Sequence, residues 1–267
     1  MRHMGRSVKT QPGEGGDRSD ARKERWRAHR EARRAEFVDA TMCAIKKHGA
    51  DVGMDEIAAE AGVSKPVLYR HFADKADLYL AVAQRGTDVL MERMAPALDA
   101  LAHDKVTPRQ WIRGTVDTYL ALIEQYPEMY RFVVRGQFVD RPPDRDLVAE
   151  DKRALASAIA RIFGDYLRAF GMDSGGAEVW GHGVVGLVQG AGDWWLDRQS
   201  MSREAVTDYL TQIIWAAIEG VLRSSGLHLE PDQPFEEGVA RALAERPVLR
   251  VVSDADQAGT GTTSSGG

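Results

Sequence analysis

Apolar residues recur at three- and four-residue steps along most of the 267-residue chain, and no long stretch alternates apolar with polar positions as a strand would. The pattern predicts an all-α protein. From about Ala21, the residues Phe37, Thr41, Ala44, Ile45 and His48 mark one face of a first helix, which ends in a basic turn, Lys46 and Lys47, at Gly49. A short second helix is expected from Met54 to about Ala61, with Gly53 as N-cap and Asp55 and Glu56 at the positive end of its dipole. Gly62 breaks it. Ser64 is placed to cap a third helix, Lys65 to about Phe72, and Pro66 is tolerated in its first turn. Asp74 opens a fourth helix that runs past Leu90.

The remainder also reads as helices. Pro108 starts one that carries Trp111, Ile112, Val116, Tyr119, Leu120 and Ile123. Another follows Pro127, from Glu128 to about Phe138, and Arg141-Pro142-Pro143 reads as a loop. A long amphipathic helix is expected over Asp146 to Phe170, a glycine-rich one over about Ala177 to Arg198, and a strong one from Ser202 to about Arg223. Phe235 to Ala244 fits a short extra helix. The first 20 residues and the end from Ser253 are polar and rich in small residues, which predicts disorder.

Charge and composition narrow the function. Residues 1–80 hold 16 Lys and Arg against 13 Asp and Glu, although the whole chain is acidic at −5. A basic portion on an acidic body suits contact with a polyanion at one end. No apolar run approaches the roughly 20 residues of a membrane span, and the polar N-terminus lacks the apolar centre of a secretory signal. Cys43 is the lone cysteine, which excludes an internal disulfide and fits the cytoplasm. The histidines are scattered, and no metal-ligand spacing, nucleophile triad order or G-x-G-x-x-G after a strand is found. No catalytic residue, metal or cofactor is therefore expected. Two rivals stay open: an enzyme, and a helical interaction module without DNA binding. Retention on DNA or heparin that weakens steeply with salt separates them from a DNA reader.

The most specific signal is Ala61-Gly62-Val63-Ser64 between two short helices. Gly62 can take the left-handed conformation of a tight interhelical turn, Val63 can wedge between the helices, and Ser64 can cap the next one. The run Met54-Asp-Glu-Ile-Ala-Ala-Glu-Ala-Gly-Val-Ser-Lys-Pro-Val-Leu-Tyr-Arg-His-Phe-Ala-Asp-Lys75 resembles the TetR family of bacterial transcriptional regulators. Its Ile-Ala pair, Ala-Gly-Val-Ser, Leu-Tyr-x-His-Phe and following Lys all stand at the family's spacing. Two positions depart: Val67, where many relatives carry Thr, and Gly53, in place of a Ser or Thr cap.

The resemblance implies a tail over 1–20, a three-helix helix-turn-helix DNA-binding domain over 21–80, a larger helical ligand-binding and dimerisation domain over 81–226, and a mostly disordered extension over 227–267. It implies that Lys65, Pro66, Tyr69 and Arg70 face the major groove of double-stranded DNA, that Tyr69, His71 and Lys75 touch phosphates, and that Val67 offers a methyl contact. The arginine-rich stretch Arg22–Arg34 is either a solvated face or a further touch on the DNA backbone. It implies a homodimer joined through the last two strong helices, with Ile214, Trp215, Ile218 and Leu222 as the apolar stripe for the partner. The glycines 181, 183, 186, 190 and 192 would let another backbone or a ligand come close.

For a hydrophobic or amphipathic small-molecule effector, the bulky residues on the walls of the family's pocket are Trp111, Tyr119, Tyr130, Val133, Phe163, Trp180 and Trp194, with Tyr126, Met129, Phe132 and Trp195 nearby. Arg131, Arg135, His182 and Asp193 are the charged candidates for a head group. The mechanism implied is a repressor that holds a palindromic operator until effector binding shifts the fourth helix and changes the spacing of the two readers.

Overall fold

Ten helices follow one another in the computed structural model, which describes residues 15–103, 106–135 and 147–244; among the described residues no strand occurs. The N-terminal unit is α1 (Gly15–His48), α2 (Met54–Glu60), α3 (Lys65–His71) and the first turns of α4 (Lys75–His103). The body adds α5 (Pro108–Gln125), α6 (Pro127–Arg135), α7 (Leu147–Ala169), α8 (Ala177–Arg198), α9 (Arg203–Ser224) and α10 (Phe235–Ala244).

Two apolar cores organise the chain. The first gathers Phe37, Ala44 and Ile45 of α1, Ile57 of α2, Leu68 of α3, Phe72, and Leu78 and Val82 of α4. The second fills the body between α4, α5, α7, α8 and α9, with Leu120, Trp195 and Phe170 deep inside it. Phe132 of α6 belongs to the first core although it lies some fifty residues along the chain from the rest. Its ring sits 5.6 Å from that of Tyr79, whose hydroxyl donates to the Val133 carbonyl at 2.6 Å. The Ala50 amide donates to Glu128 Oε2 at 3.0 Å, so α6 is fastened to the N-terminal unit at both ends.

Gly62 sits at φ +65°, the left-handed turn its position requires. The glycines of α8 divide by face. A Cβ on Gly181 would lie 2.6 Å from the Ala156 carbonyl oxygen, and one on Gly192 3.0 Å from Ile123 Cδ1. These two let α7 and α5 approach α8 closely, whereas Gly183, Gly186 and Gly190 border open space.

Several expectations need correction. Helix α1 begins at Gly15, so the tail read over 1–20 is helical in its last residues. The fourth helix continues through Pro96, an exposed position, to His103. Ser64 stands at the N-cap with extended backbone, yet its hydroxyl makes no bond to the helix; at α2 the Gly53 amide instead donates to Glu56 Oε2 at 3.0 Å. Ile214, Trp215 and Leu222 are buried in the chain's own core, so they form no stripe for a partner. The large apolar side chains that α8 and α9 leave exposed are Val179, Leu187, Trp194, Tyr209 and Ile213. The segment after Gly226 packs on the body: Leu227 and Leu229 are buried, and Arg109 pairs with Asp232 at 3.0 Å. The loop at 141–143, the stretch 136–138 and the end from 253 lie outside the described residues.

Candidate functional site

The outward face of α3 presents a short row of polar side chains. Leu68 is buried and anchors the helix, and Val63 and Val67 pack partly against the same core. That leaves Pro66, Tyr69 and Arg70 facing solvent, with Tyr69 40% exposed. Lys65 is half-buried, and its Nζ reaches Asp55 Oδ2 of α2 at 3.1 Å. Lys75 is half-buried in the first turn of α4. Val67 is thus partly a packing residue, and the other exposed positions carry the polar surface.

Behind α3 a cation locks the unit together. Arg34 of α1 makes two parallel bonds to Asp77, at 3.0 and 2.7 Å, and donates a third, at 2.6 Å, to the His71 carbonyl at the end of α3. Its guanidinium stacks 4.3 Å from the Phe72 ring centroid. The bonds from Arg34 hold the Asp77 carboxyl below its ordinary range, with the Ala73 amide helping. His71 turns inward: its ring packs edge-on to Phe37 at 5.0 Å, and Nδ1 is buried without a hydrogen-bond partner among the described residues. Burial, and then the nearby charges of Arg30, Arg33, Arg34 and His29, push the His71 imidazolium pKa down.

The body holds an apolar cavity of about 270 Å³. Five of the expected wall residues line it: Trp111, Tyr119, Tyr130, Val133 and Phe163. A second apolar cavity of about 420 Å³ lies alongside and shares Trp111, Ile112, Phe163, Val184 and Ile214 with the first. Trp180 lines that second space, not the first. Trp194 is a correction: it is 44% exposed and lines neither cavity, because its position on α8 turns it away from the core that Trp195 fills. Of the charged candidates, Arg131 pairs with Glu128, His182 is exposed and bonds its own helix, and only Asp193 reaches a wall residue, accepting a short hydrogen bond from the Tyr130 hydroxyl. The Arg135 side chain lies outside the described residues.

Sequence reading missed the cavity's other walls. Gly86, Leu90 and Met94 come from α4, Gln189 from α8, and Met42 from α1 of the N-terminal unit. The i, i+4 spacing of Gly86, Leu90 and Met94 is the signal that marks the α4 face; for Met42 no local signal exists, since its contact depends on how the two cores meet. Among the described residues no group of three His, Cys, Asp or Glu could hold a metal ion, and no helix is long and apolar enough to cross a membrane.

Comparison with known proteins completes the picture. Residues 37–82 match the model of the bacterial regulatory proteins of the tetR family, and residues 93–226 match a tetracyclin repressor-like C-terminal domain. An uncharacterized HTH-type transcriptional regulator of Mycobacterium tuberculosis is 40% identical over 230 residues, covering 85% of this chain and 95% of that protein. The HTH-type transcriptional activator FasR of Mycolicibacterium smegmatis is 31% identical over 170 residues, 63% of this chain and 74% of that one. Among solved structures, FadR of Bacillus subtilis in complex with stearoyl-CoA superposes with a TM-score of 0.54 at 15% identity, covering 67% of this chain and 96% of that one. This likeness shows the shared helical fold. A helix-turn-helix reader fastened to a helical body thus recurs in sequence and in architecture: the chain belongs to the TetR family of transcriptional regulators.

Proposed function

We propose that the protein is a ligand-responsive repressor that binds a palindromic operator as a homodimer. In this reading Lys65, Pro66, Val67, Tyr69 and Arg70 enter the major groove, and Tyr69 and Lys75 meet phosphates; His71, expected from the sequence as a third phosphate contact, is turned inward and supports α3 from behind instead. Arg and Lys supply donors that match guanine acceptors, and Tyr69 supplies a hydroxyl for a phosphate oxygen. The exposed face of α8 and α9, with Leu187 and Ile213, is the surface for the second copy. Two readers related by a two-fold axis then stand about 34–36 Å apart, one DNA turn. A reader of chromosomal DNA works in the cytoplasm.

One observation carries the regulatory half. Helices α4 and α6 each serve both units. Leu78 and Val82 of α4 lie in the reader's core while Leu90 and Met94 line the cavity. Phe132 of α6 lies in the reader's core while Met129 and Tyr130 line the cavity. An apolar or amphipathic effector that fits one arrangement of these helices better than the other shifts the reader with it. The stearoyl-CoA bound in the FadR structure is a ligand of that amphipathic kind. One relative is named as an activator, so a reporter assay decides the sign of regulation.

The test uses an operator selected from genomic fragments. Stearoyl-CoA is expected to lower operator occupancy by the wild type and to leave Leu90→Trp, whose cavity is filled, bound. A response that survives in Leu90→Trp contradicts the cavity reading, provided the variant still binds the operator.

A further inference from the structure

Resting on that cavity reading, we infer that the chain Tyr119–Tyr130–Asp193 is a polar recognition point of the cavity and selects an effector bearing a neutral hydrogen-bond donor, a hydroxyl or amide N–H, over one that offers only acceptors there. Apart from Thr87, Thr115, Lys152 and Gln189, the rest of the cavity wall is apolar, so few polar atoms face it and each weighs on which head group is accepted. Tyr119 of α5 and Tyr130 of α6 both line it, and Gln189 of α8 lies one turn from Asp193 on the same helix.

The direction of the hydrogen bonds follows from valence. A carboxylate only accepts, so the single hydroxyl proton of Tyr130 is committed to Asp193. The contact between the two phenols, at 3.4 Å, can then be made only with Tyr119 donating to Tyr130. Tyr119 is left with lone pairs and no proton for a third partner. Its unfilled capacity is that of an acceptor, which a ligand hydroxyl or amide N–H satisfies and an ester carbonyl does not. The phenol contact is long, so Tyr119 can turn its proton away at modest cost; the selectivity is a preference of one hydrogen bond.

The experiment titrates the full-length protein with two ten-carbon probes, 1-decanol and methyl decanoate, by isothermal calorimetry at neutral pH. The wild type is expected to bind decanol on the order of 3- to 10-fold more tightly than methyl decanoate, the worth of one net hydrogen bond. Tyr119→Phe keeps the ring in place and removes the acceptor; its decanol-to-ester ratio is expected to fall to about one. Asp193→Asn lets an amide donate to Tyr130, which frees the protons of both phenols to turn outward; the ester is expected to gain on decanol. If the wild type binds both without this preference, or if Tyr119→Phe keeps the wild-type ratio, the selector is overturned while the cavity reading stands. If no probe binds the wild type, both fall.

Discussion

At Gly62 a single missing Cβ permits the reader's geometry. A side chain in the left-handed region costs about 1–2 kcal/mol, and the site has open space, so the conformation alone sets the penalty. Gly62→Ala is expected to lower stability by about that amount, measured by urea denaturation, without abolishing the fold. Tyr69 is the converse. Its ring is exposed, so Tyr69→Ala should leave the melting temperature nearly unchanged and weaken operator binding, read by fluorescence anisotropy. His71 gives a pH signature. Its folded value lies below the ordinary 6.5, so as pH falls through 6.5 the unfolded chain takes up a proton that the folded one refuses, and stability drops. His71→Gln should lose that part of the acid sensitivity in denaturation curves taken at pH 7.5 and 5.5. The glycine turn and the identity of the α3 face were legible in the sequence because both are local. The inward turn of His71 and the pairing of Lys65 with Asp55 were not, because each is set by a neighbour brought near only by folding.

Among the elements, α1 and α6 do more than their own patterns reveal. The periodicity of α1 identified its buried face, but Arg34 read as one of a basic run; its role as a clamp on α3 and α4 needs Asp77 and the His71 carbonyl, some 40 residues away. The pair is about one-third exposed, so solvent screening limits its worth. Arg34→Met is expected to cost about 1 kcal/mol of stability and to weaken DNA binding by loosening the placement of α3. The two faces of α6 were likewise hidden, since nothing local tells which of its apolar residues belongs to which core. Tyr79→Phe removes the bond to the Val133 carbonyl and keeps the ring contact with Phe132. It should preserve operator affinity and reduce the effect of an effector on it, measured as the ratio of dissociation constants with and without stearoyl-CoA.

Across the whole molecule, the all-helical class and the order of the helices could be read from apolar spacing, and the family from one run of 22 residues. The exposed apolar residues of α8 and α9, proposed as the surface for a second copy, could not. Ile214, Trp215 and Leu222 satisfy a helical stripe equally well whether that stripe faces the chain's own core or a partner, and only the packing of α9 on α5 decides it. Ile213→Glu places a charge on the exposed face; it is expected to shift the protein toward monomer in analytical ultracentrifugation and to weaken operator binding with it. The central claim is sequence-selective DNA reading by α3. Its most direct test is selection of genomic fragments by purified protein at moderate salt, comparing the wild type with the double variant Tyr69→Ala/Lys75→Ala. The account predicts that the wild type enriches a palindrome and the double variant does not. Failure of the wild type to enrich any sequence, or equal enrichment by the variant, would contradict it.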